Sequence, residues 1–151
     1  MKNYSGIIKT VLIALAVSSA GSFAALAGEW TESEGTWYYT DESGQYETGW
    51  IKPDGENKWY LLDQETGAWI GKPALNEANV CYLLENALVD AGLYQNEPEE
   101  LIYKVSYSDS DSIQVVIQYE DAPDVFVSIN TYTVSRKTRK ARPNVGDSLI
   151  L

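Results

Sequence analysis

Three hydrophobic patterns follow one another along the chain, and each predicts a different kind of element. An unbroken apolar run, Val11 to Val17, comes first. From Gly28 to Gly71 the apolar positions are mostly aromatic and sit in short β-prone clusters such as Trp37-Tyr38-Tyr39. Between them lie Asp41-Glu42-Ser43-Gly44, Lys52-Pro53-Asp54-Gly55 and Asp63-Gln64-Glu65-Thr66-Gly67, which read as turns and make each cluster part of a hairpin. Beyond Pro73, Val80, Cys81, Leu84, Ala87, Leu88 and Ala91 recur at helical spacing, with Asn76 as cap and Gly92 as stop. Strict alternation then takes over: Tyr103, Val105 and Tyr107; Ile113, Val115, Ile117 and Tyr119; Val125, Val127 and Ile129 continuing to Tyr132 and Val134. The expected second half is a small α+β domain, one helix on a three-stranded antiparallel meander.

The opening run is an address. Lys2 and Lys9 flank a polar start, and small residues lead to Ala25-Leu26-Ala27, so residues 1–27 read as a secretory signal peptide cleaved before Gly28. The run is short for a membrane span of about 20 residues, and no cysteine ends it to carry a lipid. The expectation is an exported protein with no stable membrane insertion after cleavage.

All five tryptophans, Trp30, Trp37, Trp50, Trp59 and Trp69, fall between Gly28 and Gly71. Two segments, 28–48 and 49–72, superimpose as repeats. Gly28-Glu29-Trp30, Gly35-Thr36-Trp37-Tyr38-Tyr39, Asp41 and Gly44-Gln45-Tyr46 match Gly49-Trp50, Gly55, Trp59-Tyr60-Leu61-Leu62-Asp63 and Gly67-Ala68-Trp69. The offset drifts from 20 (Trp30, Trp50) to 22 (Trp37, Trp59) to 23 (Tyr46, Trp69), as turn insertions would produce. Units this short cannot bury a core alone and must stack or lean on a neighbour.

These strings, above all WYYTDESGQY and TGWIKPDGENKWYLLDQETGAW, resemble the choline-binding, or cell-wall-binding, repeats of Gram-positive surface proteins. The resemblance implies a β-hairpin solenoid in which aromatic side chains of successive hairpins cage the choline headgroup of teichoic acids; related repeats bind carbohydrate. It implies one complete site from Trp37 with Trp50 and Trp59 or Tyr60, while Trp59 and Trp69 begin a second that no third repeat closes. Trp30 reads as packing at an open end, and Tyr38, Tyr39 and Leu61 as inward-packed. Two departures concern the ligand: Tyr46 and Trp69 stand where the family usually has Met, and Gly71 is followed by Lys72-Pro73 rather than Trp. The stretch TYTVSRKTRKARPN weakly resembles the last strand and turn of small domains in exported Firmicutes proteins, where Thr-Gly usually replaces Thr138-Arg139.

Composition narrows the chemistry. A chain of 151 residues has room for the repeats and a second small domain at 73–151, whose modest core favours binding over an enclosed active site. It has no histidine, which removes Ser-His-Asp and Cys-His catalysis and His-ligated zinc. With 22 acidic and 11 basic residues, nucleic acid is not an expected partner. Positive charge gathers in Arg136, Lys137, Arg139, Lys140 and Arg142, which could touch anionic wall phosphates or simply offset the acidic body. Asp109, Asp111 and Glu120 lack the ligand pattern and glycine of a calcium loop, and Glu97, Glu99 and Glu100 read as an exposed acidic loop. Lone Cys81 reads as a small hydrophobe. The expected protein is secreted, wall-associated and non-enzymatic, with no cofactor or metal. With one complete cage, a homodimer or the basic tail would add a second contact. The alternatives are a module for wall or extracellular glycans and a small wall hydrolase using carboxylates alone.

Overall fold

The computed structural model describes residues 28–94 and 100–151. The signal-peptide segment 1–27, with its cleavage site, and the acids Glu97 and Glu99 lie outside the described residues. Contacts divide the chain into two compact units, 28–56 with 60–72 and 57–59 with 73–151.

In the first unit β1 (Glu29–Ser33) pairs antiparallel with β2 (Thr36–Thr40), and β3 (Gly49–Ile51) with β4 (Tyr60–Leu62). The first hairpin closes on Glu34-Gly35, both at positive φ (52° and 81°), the two-residue turn that suits strand twist. The Asp-headed stretches are therefore not the hairpin turns: they form the next reversal. Asp41 Oδ1 accepts from the Ser43 and Gln45 amides at 2.8 and 2.9 Å; Asp63 Oδ1 accepts from the Glu65 and Thr66 amides at 3.1 and 2.8 Å. Each reversal brings back one bridging aromatic, Tyr46 against Thr40 and Trp69 against Leu62. The drift of the repeat offset is thus located. The β3–β4 connection is longer than Glu34-Gly35, and the Asp41 amide bonds Gln45 four residues on where the Asp63 amide bonds Ala68 five on.

The second unit is a helix on a sheet, as its periodicity predicts, but the sheet has five strands. Helix α1 (Val80–Asp90) buries Val80, Leu83, Leu84 and Leu88 on one face. Asn79 occupies the N-cap position without a side-chain cap, and Asn76 instead heads the preceding turn, its Oδ1 accepting from the Asn79 amide at 3.0 Å. At the other end Gly92 takes φ 69°, and the Leu93 amide reaches back to the Leu88 carbonyl at 2.9 Å. Strands β5 (Ile102–Ser108), β6 (Ser112–Ala122), β7 (Val125–Ser135), β8 (Lys140–Pro143) and β9 (Leu149–Ile150) follow in sequence order as an antiparallel meander. Ile113, Val115 and Ile117 of β6, Tyr132 and Val134 of β7 and Ala141 of β8 form the core with Val80, Leu84 and Leu88. Each fully buried large aliphatic contributes about 1.5–3 kcal/mol. The two additional strands escape a hydrophobic-pattern reading because β8 buries Ala141 alone between exposed Lys140 and Arg142.

Candidate functional site

Period-two alternation puts Trp30 of β1 on the same hairpin face as Trp37 of β2, since Trp30 pairs with Tyr39 and Glu32 with Trp37. The second repeat delivers Tyr60 from β4, Glu56 from the β3–β4 connection, and Trp69 from the end of the Asp63 reversal. The Trp69 amide donates to the Trp37 carbonyl at 2.8 Å, which stitches the two repeats together. Trp30, Trp37, Glu56, Tyr60 and Trp69 line one cavity of about 360 Å³.

Its walls meet at steep angles. The Trp30 ring lies 5.0 Å from Tyr60 at 68° and 6.5 Å from Trp69 at 70°, and Tyr60 lies 6.4 Å from Trp69 at 61°. Such edge-to-face pairs fix ring orientation beyond what burial alone would do. Glu56 ties two walls with one carboxylate, accepting from Trp30 Nε1 at 3.2 Å through one oxygen and from the Tyr60 hydroxyl at 2.5 Å through the other. Trp69 is 41% exposed and forms the open rim. Tyr39, 5.2 Å behind Trp30, has its phenol pushed up, first by burial and then by the carboxylates of Asp54, Glu56 and Glu47. The neighbourhood is therefore negative as well as aromatic. An arrangement of π faces around a carboxylate suits a cation that has no proton to donate.

Of the sequence-predicted residues, Trp37, Tyr60 and Trp69 come together here. Trp50, opposite Leu61 on β3, is not among the lining residues. Trp59 stands in the second unit. Its indole N–H donates to Glu85 Oε2 at 2.8 Å, its amide to Asn86 Oδ1 at 2.7 Å, and its ring meets Tyr82 edge-on at 5.0 Å. Sequence reasoning missed Trp30, taken as end packing, and Glu56, which follows the Lys52-Pro53-Asp54-Gly55 turn and was given no role. The signal for Trp30 was its place two residues from Glu32, the cross-strand partner of Trp37; nothing in the sequence marked Glu56.

The basic tail is divided. Arg136 donates to Glu77, to the Ser108 hydroxyl at 2.7 Å and to the Asp109 carbonyl at 2.8 Å. Arg139 donates to the Leu151 and Pro73 carbonyls at 2.7 and 3.1 Å. Lys137, Lys140 and Arg142 are exposed. Asp109 Oδ1 accepts from the Asp111 and Ser112 amides at 2.9 and 2.8 Å, whereas Glu120 lies near the far end of β6, accepting from the Asp124 amide. Cys81 is half-buried, and burial is the main cause raising its thiol pKa, the state of a packed thiol. Among the described residues no helix is long and apolar enough to cross a membrane.

Comparison with known families agrees with the repeat geometry. The family model for the cell wall binding repeat of the choline-binding type matches twice in tandem, at residues 28–46 and 48–65. No curated protein and no solved structure shows a significant match to the chain. Glu56, Tyr60 and the Trp30–Trp37 hairpin fall within the matched residues, and Trp69 lies just beyond them. Residues 28–46 and 48–65 thus match two adjacent cell wall binding repeats of the choline-binding type, a match that supports cell-wall binding in general.

Proposed function

We propose that this is a secreted, non-enzymatic surface protein of a Gram-positive bacterium, held non-covalently at the wall by choline on teichoic acids. The cage of Trp30, Trp37, Tyr60 and Trp69 around Glu56 is the observation that carries this reading. A quaternary ammonium offers no N–H, so hydrogen-bonding residues cannot grip it, whereas aromatic faces attract it at about 0.5–2 kcal/mol per ring. Four rings put the affinity near the millimolar range. The steep angles between walls favour a compact cation over a sugar ring, which would prefer a flat platform. The second unit is then a small interaction domain displayed at the surface.

Tryptophan fluorescence titrated with choline tests the reading. A saturable change at millimolar choline is expected, lost in Trp37→Ala and retained within about twofold in Trp50→Ala, which removes no wall. Glu56→Gln keeps one of the two acceptor oxygens but removes the charge, and should weaken binding about fivefold, the equivalent of about 1 kcal/mol. A flat titration of folded protein would remove choline from consideration.

A further inference from the structure

The two hairpins set their cage walls in different ways. Strands β1 and β2 run in register from Glu29–Thr40 to Ser33–Thr36 and close on Glu34-Gly35, so Trp30 and Trp37 are placed by their own ladder. Strands β3 and β4 pair only from Gly49–Leu62 to Ile51–Tyr60, and β3 stops ahead of Pro53, which cannot donate to a ladder. A hairpin so short is marginal by itself. Its open end nevertheless carries Glu56 and Tyr60, two of the residues that line the cage.

Between those two residues the chain belongs to the second unit, where Asn57, Lys58 and Trp59 group with 73–151. Helix α1 holds them there. Asn86 Oδ1 accepts from the Trp59 amide at 2.7 Å, and Asn86 Nδ2 donates to the Trp59 carbonyl at 2.8 Å. One side chain thus supplies the two bonds that a residue on an adjoining antiparallel strand would give. Glu85 Oε2 takes the Trp59 indole N–H at 2.8 Å, and Tyr82 meets the ring edge-on at 5.0 Å. Asp90 adds an ion pair with Lys58, an exposed contact that contributes little. The Trp59 carbonyl lies in the peptide plane that leads into Tyr60, so bonding it fixes where that wall begins.

We infer, resting on the cage reading for the identity of the ligand, that Asn86 with Glu85 beside it positions the cage. By fixing segment 57–59 the pair sets Glu56 and Tyr60, which the short ladder alone leaves loosely placed. Both are positioning residues: they act through Trp59 and do not touch the ligand. Helix α1 then contributes to binding without meeting what is bound.

The test follows the Trp30 indole N–H, which donates to Glu56, by hydrogen exchange and NMR, with a choline titration of the same samples. Asn86→Ala removes both bonds to the Trp59 backbone. It should speed exchange at the Trp30 indole and weaken choline about three- to tenfold, the effect of about one net hydrogen bond. Asn86→Asp keeps the acceptor for the Trp59 amide, loses the donor, and should fall between. Val134→Ala is the control, since Val134 is fully buried in the core of the second unit. It should lower the melting temperature at least as far as Asn86→Ala, yet leave indole exchange and choline affinity unchanged well below melting. Unchanged Trp30 exchange in Asn86→Ala would overturn the proposal. So would equal losses in Val134→Ala, because the cage would then be answering to stability alone. If the unsubstituted protein gives no choline response while Asn86→Ala still frees the Trp30 indole, the choline reading falls and the positioning role stands.

Discussion

Glu77 accepts from the Ser108 hydroxyl and from the Arg136 guanidinium, and these bonds, the Ser108 one foremost, hold its carboxyl down at about 2 against an ordinary 4.5. A depressed folded-state pKa contributes stability that is present above the unfolded value and lost as the pH falls through the folded one. The melting temperature of the protein should therefore exceed that of Glu77→Gln at neutral pH, with the gap narrowing between pH 4.5 and about 2. A gap that stayed constant across that window would remove the linkage. At the alkaline end, burial first and then Tyr94 push the Tyr132 phenol up to about 12. A raised tyrosine contributes stability below the unfolded value near 10 and loses it as the pH rises through the folded one. Single residues were the hardest level to read from sequence. Trp30 and Trp37 look alike in composition, and only cross-strand register shows that they share a face. Arg136 and Arg139 looked like Lys137 and Lys140, although the first two are spent on carbonyls and a carboxylate inside the second unit.

Elements were more legible. The face of α1 was visible in the spacing of Val80, Leu84 and Leu88, and the alternation of Ile113, Val115 and Ile117 announced β6. Leu84→Ala, at a fully buried position facing that sheet, should cost about 2–5 kcal/mol in chemical denaturation of the second unit. Turns were read with the right residues and the wrong duties. Asp41 and Asp63 were recognised as turn formers, but the hairpin itself closes on Glu34-Gly35, whose signal is a single glycine in a polar stretch. Gly67 is the more demanding position. It sits at φ 72°, and an added Cβ would meet Tyr46 Cβ at 3.0 Å and the Glu47 carbonyl oxygen at 3.1 Å. Gly67→Ala should therefore destabilise the repeats by more than the 1 kcal/mol or so of a left-handed alanine alone, and shift the choline midpoint by moving Trp69. A variant with unchanged melting and unchanged midpoint would show that the reversal is slack.

The whole molecule carries a formal charge of −11, and the first unit sets ten acidic residues against two basic around the cage. Fields of this kind reach about 30 Å at 10 mM salt and about 8 Å at 150 mM. Choline should thus bind about two- to threefold more tightly at the lower salt, a dependence readable in one pair of titrations. At this scale the sequence revealed the repeats and the α+β second half, because both rest on periodicity. It concealed β8, whose cationic flanks drowned the one buried alanine, and β9, which is only two residues long. Glu56 has a kinetic consequence too. By holding Trp30 and Tyr60 at once it keeps the cage formed before any ligand arrives, so capture needs no rearrangement and proceeds near the diffusional limit, on the order of 10⁸ per molar per second. Combined with millimolar affinity, that gives each headgroup a residence of about ten microseconds. On a polymer with many headgroups, a protein held by one such cage lets go completely at each release and stays at the wall only by landing on a neighbouring headgroup before it drifts away.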